Sequence, residues 1–300
     1  MIVSLRPTTC AVCGETEAVE LYPANFELDS FNPEVFSARR SPDGLHYRMV
    51  RCRQCGLVRS DPAAGAGDLG RLYERSRFDY QAEVESLRRT YGRYLDRMAA
   101  HAPGRRGLLE VGCGNGFFLE EALEHGWSEV RGVEPAAHAV ASAAPSVRDR
   151  IVLGVMTPGL FPEETFDAVC LFQVFDHLPD PGAILDACCR VLRPGGAVLC
   201  FNHNVDAFTN RLMGARSPII DIEHTYLFSP RTMRAIFEAH GFEVVETGAA
   251  RNTYSLRYLA HLVPLAAARS VAEGLLGVTR LGAMRATVPL GNLFLIARRS

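Results

Sequence analysis

Two cysteine pairs near the beginning of the chain have the spacing of metal ligands. Cys10-x-x-Cys13 and Cys52-x-x-Cys55 are each followed by glycine, and each pair presents two thiolates from one turn. Four thiolates form the closed tetrahedral site of structural zinc, which stabilises a fold and has no open position at which to activate water. The alternative is that these cysteines are packing residues or redox thiols. We expect Cys10, Cys13, Cys52 and Cys55 to hold zinc.

A second stretch consists of an apolar run, three glycines at alternate positions and an amphipathic segment. This order predicts a strand, a tight turn and a helix, the opening of a doubly wound α/β sheet with a nucleotide-like ligand against the turn. The spacing of Gly112, Gly114 and Gly116 differs from the G-x-G-x-x-G of dinucleotide enzymes. Glu110 would repel a pyrophosphate but suits the ammonium group of an amino-acid moiety. Glu134 ends the next predicted strand, where a carboxylate can accept both hydroxyls of a ribose.

Four elements in this order resemble the class I S-adenosylmethionine-dependent methyltransferases. They are residues 110–116, Glu134, the strand that begins Phe166-Asp167-Ala168-Val169, and Leu192-Arg193-Pro194-Gly195-Gly196. The resemblance covers residues 107–200 and implies S-adenosylmethionine as cofactor. It also implies a Rossmann-like α/β fold with a seven-stranded, mostly parallel sheet whose last strand is antiparallel. The alternative is a Rossmann-type domain that binds NAD or no ligand.

The resemblance extends to further cofactor contacts. Gln173, after the predicted strand 166–172, is expected near the methionine carboxylate. Many relatives carry an acidic residue after the third strand that reaches the adenine, but none follows Ile151-Val152-Leu153 here. We therefore expect apolar and backbone contacts to adenine around Val155 and Met156. The remaining residues expected near the cofactor are Cys113, Pro135 and Phe172.

Glu223-His224 resembles the Glu-His pair of zinc-containing sugar C-methyltransferases, in which the histidine is the general base. Neutral imidazole, with an ordinary pKa of about 6.5, can accept a proton near neutral pH. The resemblance implies that His224 is the base and that Glu223 contacts the acceptor or tunes the site. His177 resembles a histidine that many family members carry in the loop after the fourth strand. For either histidine the alternative is a structural role, and the further C-terminal domain of the sugar enzymes is not expected in this chain.

The pattern of residues predicts three segments and one insertion. Proline, glycine and alanine at 61–70 predict a linker, and apolar residues at helical spacing from Tyr80 to Met98 predict a helix after it. Candidate residues of the acceptor pocket are Phe78, Tyr80 and Tyr226, with core packing as the alternative for an aromatic stripe. The segments are a zinc-binding module at 1–60, a linker and helical lid at 61–104, and a methyltransferase domain at 105–300 with a mostly helical insertion at 252–290.

The composition limits the classes of partner that we expect for this protein. The 300 residues carry a net charge of −2, and this balance does not favour a nucleic-acid partner. We find no signal-peptide or membrane-span pattern, and expect a cytoplasmic monomer or homodimer without a membrane partner. The expected acceptor is a small molecule: a sugar, a nucleotide-sugar or a natural-product scaffold. The alternatives are an RNA base methyltransferase with a zinc module, and a non-catalytic cofactor-binding scaffold.

Overall fold

The computed structural model describes residues 4–26, 44–74, 84–261 and 284–300. Its strands are β1 (Leu5–Arg6), β2 (Ala18–Tyr22), β3 (Met49–Cys52), β4 (Val58–Ser60), β5 (Ala63–Ala64), β6 (Gly107–Val111), β7 (Glu129–Glu134), β8 (Ile151–Leu153), β9 (Phe166–Phe172), β10 (Leu192–His203), β11 (Tyr226–Leu227), β12 (Phe242–Ala249), β13 (Asn252–Ser255), β14 (Arg285–Val288) and β15 (Asn292–Arg299). Its α-helices are α1 (Ala66–Glu74), α2 (Val84–Ala99), α3 (Phe117–Glu124), α4 (Ala137–Ala141), α5 (Pro145–Arg148), α6 (Pro181–Val191), α7 (Phe208–Met213), α8 (Pro230–Ala239) and α9 (Leu256–His261).

Seven strands form the central sheet, in the order β12-β15-β10-β9-β6-β7-β8. The pairs from β10 to β8 are parallel, and β15 lies between β10 and β12 and is antiparallel to both. This is the predicted sheet with an antiparallel last strand, so the predicted Rossmann-like fold is confirmed.

The inner strands are apolar on both sides. Every residue of β6 and β9 is buried, which is typical of parallel strands covered by helices on both faces. Successive residues alternate between two hydrophobic layers, with Leu109 and Leu171 in one and Leu108 and Cys170 in the other. Because the parallel strands end at one edge of the sheet, the polar residues that follow them gather at that edge.

A second, four-stranded sheet combines strands that are far apart in the chain. We call residues 4–26 and 44–64 the cysteine module; its strands β2, β3 and β4 pair antiparallel, and β11 adds to the edge of β4. Since β11 begins two residues after His224, a strand from the part of the chain that forms the central sheet belongs to the sheet of the module.

Two predicted segments differ in local structure. Residues 61–70 contain β5 and the first turns of α1 in place of an open linker. Burial of Leu69 and Leu72 in a cluster with Tyr47 and Ile222 offsets the low helix propensity of the glycines there. The insertion predicted as mostly helical has extended ends, because β13 and β14 pair antiparallel and the amide of Thr253 donates to Oγ1 of Thr90 on α2. The centre of the insertion lies outside the described residues.

Candidate active site

The turn after β6 is built by glycines with left-handed backbones. Gly112, Gly114 and Gly116 have φ angles of 73°, 54° and 75°. A Cβ at Gly112 would lie 2.3 Å from Cγ2 of Val174, so no larger residue fits there without displacement. The amide of Gly112 donates to the carbonyl of Val133 at 2.8 Å, which ties the turn to β7. The turn thus has the tight geometry that its glycine spacing predicts.

Two buried carboxylates flank this turn. Oε2 of Glu110 has no hydrogen-bond partner among the described residues, and burial together with the nearby Glu134 raises the pKa of Glu110. Glu134 accepts from the amides of Gly114 at 2.8 Å and Ala136 at 2.9 Å, while burial raises its pKa. The intervening Pro135 has no amide to donate. A buried acceptor without a donor is costly, so Oε2 of Glu110 fits the ammonium group of the expected cofactor. Glu134 ends β7, where a carboxylate can also accept from ribose hydroxyls.

Gln173 follows β9 with a strained backbone. Its φ angle is 54°, a left-handed value that is unfavourable for a residue other than glycine. Its amide donates to the carbonyl of Phe201 on β10 at 2.8 Å, and its side-chain Oε1 is buried with no partner among the described residues. Strain and an unpartnered polar atom in one residue favour a ligand contact.

The other residues expected near the cofactor differ in exposure. Val155 is 55% exposed and Met156 is buried. Leu153, which the sequence analysis does not name, is 57% exposed two residues before Val155, so two apolar side chains are accessible to an adenine ring. Cys113 and Phe172 are both buried in one hydrophobic layer of the sheet.

Asp176, His177, His203 and His224 meet at the same edge of the sheet, and we call them the histidine cluster. Nδ1 of His203 lies 2.6 Å from Oδ2 of Asp176, which is fully buried. Nε2 of His177 lies 3.5 Å from Oδ1, and Nε2 of His224 lies 3.7 Å from Oδ2. The cluster follows the carboxyl ends of β9 and β10 and is close in sequence to Gln173, which is where open α/β sheets bind ligands.

Burial and mutual charge set the protonation of this cluster. Burial acts to raise the pKa of Asp176, but the three imidazoles outweigh it and hold that pKa below its usual range. Burial lowers the pKa of His224 to about 3 and also lowers the pKa of His177. Nδ1 of His224 lies 2.9 Å from the carbonyl of Ile219 and therefore carries the hydrogen. At neutral pH the cluster contains an ionised Asp176 beside the neutral imidazoles of His177 and His224.

The cysteine module holds the loop that carries Glu223 and His224. Oγ of Ser60 donates to the carbonyl of His224 at 2.7 Å, and the Ser60 amide donates to the carbonyl of Thr225 at 2.9 Å. Tyr226, predicted for the acceptor pocket, is buried in β11 at this junction, and its hydroxyl donates to a module carbonyl at 3.5 Å. The backbone of Glu223 and His224 is thus held by a segment far away in sequence.

The four predicted metal ligands converge. Their Sγ atoms all lie within 4.8 Å of one another, with 3.3 Å between Cys10 and Cys55 and 3.5 Å between Cys13 and Cys52. Zn–S bonds of about 2.3 Å in a tetrahedron require S···S distances of about 3.8 Å, which this spacing brackets. The glycine after each pair has a left-handed backbone, with φ angles of 74° and 84°. The soft donor set and its size fit Zn²⁺.

The sequence predicts His177 and His224 as site residues but not Asp176 and His203 of the same cluster. His203 ends β10, so its position at a carboxyl end is a signal that could have found it. Asp176 precedes His177 directly, but nothing local shows that it is buried. Tyr73 comes from α1 and places its hydroxyl 3.1 Å from Nδ1 of His177, a contact across 104 residues that no local pattern predicts. Phe78 and Tyr80 lie outside the described residues.

Comparisons with known proteins place this site in a family. A family model described as a methyltransferase domain matches residues 80–247, more than half of the chain. The ubiquinone biosynthesis O-methyltransferase of Paracidovorax citrulli is 28% identical over 60% of this chain and 82% of its own length. The mitochondrial human enzyme of the same name is 31% identical over 50% of this chain and 46% of its own length. The chain thus spans only about half of some of the relatives it matches.

Solved structures agree on the fold. An S-adenosylmethionine-dependent methyltransferase from Archaeoglobus fulgidus is 20% identical, with a TM-score of 0.51, and the match covers 74% of this chain and all of that one. A chain from the complex of the Haloferax volcanii Trm112 methyltransferase activator with a methyltransferase is 18% identical, also with a TM-score of 0.51, and the match covers 74% of this chain and 98% of that one. Among the described residues, every helix is too short or too polar to span a bilayer. Because the family match covers most of the central sheet and the glycine turn, the chain belongs to the S-adenosylmethionine-dependent methyltransferases.

Proposed function

We propose that this enzyme transfers a methyl group to a hydroxyl or carbon of a small molecule, such as a sugar, a nucleotide-sugar or a natural-product scaffold. S-adenosylmethionine supplies an activated methyl group on a sulfonium that leaves as a neutral thioether. The protein must then align the acceptor, which can supply about 7–11 kcal/mol in well-oriented cases, and exclude water. A weak nucleophile also requires a base, which adds roughly a hundred- to ten-thousandfold.

The observation that carries this proposal is the histidine cluster beside Gln173. An imidazole of this cluster can take up a proton, and the ionised Asp176 beside it can stabilise the resulting imidazolium. Hydroxyl and carbon acceptors need such a group, whereas an already nucleophilic amine does not. Relatives named as O-methyltransferases support the hydroxyl. His224 is the base that the sequence predicts, with Glu223 beside it.

Two observations speak against the alternatives. The guanidinium of Arg59 is buried and bonded to module oxygens, and Arg48 is paired with Glu20 and Asp61, so these arginines do not offer a basic face to RNA. The unpartnered oxygens of Glu110 and Gln173 are unfavourable in a scaffold that binds no cofactor.

We also propose that the four cysteines hold a structural zinc ion. Four thiolates leave no open coordination position, so the metal would stabilise the module without activating water. Because β11 belongs to the module sheet, the metal would also stabilise the loop that carries His224.

The test is a labelling experiment. Purified enzyme, ¹³C-methyl S-adenosylmethionine and a fractionated cell extract should yield label in small, nuclease-resistant molecules, and the ¹³C shift distinguishes O-methyl from C-methyl products. Gly112→Val is the matched control, because its side chain would collide with Val174 and exclude the cofactor. Label in nuclease-sensitive material would contradict the proposal.

A further inference from the structure

We infer that His203, oriented by Asp176, is the side chain that accepts the proton from the methyl acceptor. This inference rests on the proposed function, since it requires an acceptor that loses a proton during transfer. It assigns the catalytic base to a residue on β10 and not to the loop residue His224.

The bond between Asp176 and His203 is the first argument. At 2.6 Å from the ionised Oδ2, Nδ1 of His203 must carry the hydrogen. The other ring nitrogen, Nε2, therefore has a lone pair. No hydrogen bond to Nε2 comes from the part of the chain that the structure describes, and the side chain is 26% exposed. A buried aspartate that fixes the tautomer of a partly exposed histidine is the arrangement that makes imidazole an effective general base.

The other two histidines point both ring nitrogens at groups inside the protein. His224 donates through Nδ1 to the carbonyl of Ile219 and points Nε2 at Asp176, and its side chain is only 7% exposed. His177 has Nδ1 at 3.1 Å from the Tyr73 hydroxyl and Nε2 at 3.5 Å from Asp176. A base must lie within hydrogen-bond reach of its substrate, so their acceptor atoms are less accessible than Nε2 of His203.

The position of His203 is the second argument. β9 and β10 are parallel neighbours with Phe172 beside Phe201, so the residues that follow these two lie next to each other at the carboxyl edge. Gln173 is bonded to the carbonyl of Phe201, two residues before His203. His203 therefore lies on the same edge as the unpartnered Gln173 side chain and the glycine turn, where the acceptor must approach.

The proton transfer and the methyl transfer need no reactant other than the enzyme, the acceptor and S-adenosylmethionine. Nε2 of His203 takes the proton from the acceptor O–H, while that oxygen forms its bond to the methyl carbon and the carbon–sulfur bond breaks with its electron pair on sulfur. The resulting imidazolium is stabilised by Asp176 and later returns its proton to water.

The experiment compares His203→Ala with His224→Ala and a control. His240 also bonds to an aspartate, Asp186 of α6 at 2.7 Å, and neither residue belongs to the histidine cluster, so His240→Ala is the matched control. The assay uses labelled S-adenosylmethionine with a panel of catechols, hydroxybenzoates and nucleotide-linked sugars. We expect His203→Ala to lower kcat by roughly 10²–10⁴-fold, to leave cofactor affinity unchanged, and to recover part of the rate when imidazole is added. His240→Ala should match the wild type.

Three results would overturn the inference. They are a kcat in His203→Ala close to the wild-type value, rescue by imidazole of His224→Ala and not of His203→Ala, or ¹⁵N NMR that shows hydrogen on Nε2 of His203 in the wild type at neutral pH. The NMR measurement needs no acceptor, so it can refute the assignment even if the panel is not methylated. Label found only in RNA would instead count against the proposed function.

Discussion

We expect this protein to lose stability between pH 7 and pH 5 because of His224. Burial lowers the pKa of this imidazole in the folded protein to about 3, from an ordinary value of 6.5. Between these two pKa values the unfolded chain binds a proton that the folded protein does not. The free energy of unfolding therefore decreases as the pH falls below 6.5.

The size of the effect follows from the difference in pKa. Each pH unit between these two pKa values changes the free energy of unfolding by about 1.4 kcal/mol. A fall from pH 6.5 to pH 5 should therefore lower it by about 2 kcal/mol. His177, whose pKa is also lowered by burial, acts in the same direction. Asp176 does not contribute between pH 7 and pH 5, because its lowered pKa in the folded protein and its value of about 3.9 in the unfolded chain both lie below pH 5.

The assay compares wild type with His224→Asn, whose amide nitrogen can still donate to the carbonyl of Ile219. Trp127 is the single tryptophan and is 2% exposed, so its fluorescence in urea reports unfolding of the methyltransferase part. The variant should lose about 2 kcal/mol less than wild type between pH 7 and pH 5. Both proteins carry the same cysteine cluster, so its own pH dependence cancels in the difference.

His125 provides a control, because its contribution to stability changes with pH in the opposite direction. Burial acts to lower its pKa, but the carboxylates of Asp96 and Glu121 outweigh burial and raise it. His125 therefore adds stability in acid that is lost as the pH rises through its folded pKa, and His125→Asn should lose more stability at pH 5 than wild type. Equal acid losses in wild type and His224→Asn would refute the reasoning.

Two further predictions concern the cofactor and the metal. Glu110→Gln should weaken S-adenosylmethionine binding by roughly 10- to 150-fold, because a charge-assisted hydrogen bond is worth about 1.5–3 kcal/mol. The same change should raise the melting temperature of the cofactor-free protein, since it removes a carboxyl whose ionisation is disfavoured by burial and by Glu134; calorimetry measures both, and unaltered affinity would contradict the role of Glu110. Treatment with a chelator strong enough to remove the proposed zinc ion should lower both the melting temperature and kcat, because Ser60 of the cysteine module holds the His224 loop. A metal-free protein that melts at the same temperature would contradict the structural role.

The amino-acid sequence is sufficient to predict the central sheet and the cofactor turn. Apolar runs between glycine turns mark the strands, and the spacing from Glu110 to Gly116 is local enough to show the turn, because backbone conformation there depends on residues adjacent in the chain. The four-cysteine site can also be predicted from the sequence, since each Cys-x-x-Cys is one turn and two pairs suffice for a four-thiolate site.

The contacts that give the site its chemistry depend on the tertiary structure. Asp176 and His203 are 27 residues apart and meet only because β9 and β10 are neighbours in the sheet. Ser60 bonds to the carbonyl of His224 across 164 residues, because β11 joins the sheet of the cysteine module. The tertiary structure also decides which histidine is exposed. Packing buries His224 and leaves His203 partly exposed, and no local sequence pattern predicts this difference. The sequence alone therefore predicts a methyltransferase domain with its cofactor at the glycine turn, and only the packing of its sheets decides which histidine of the cluster is buried and which is partly exposed.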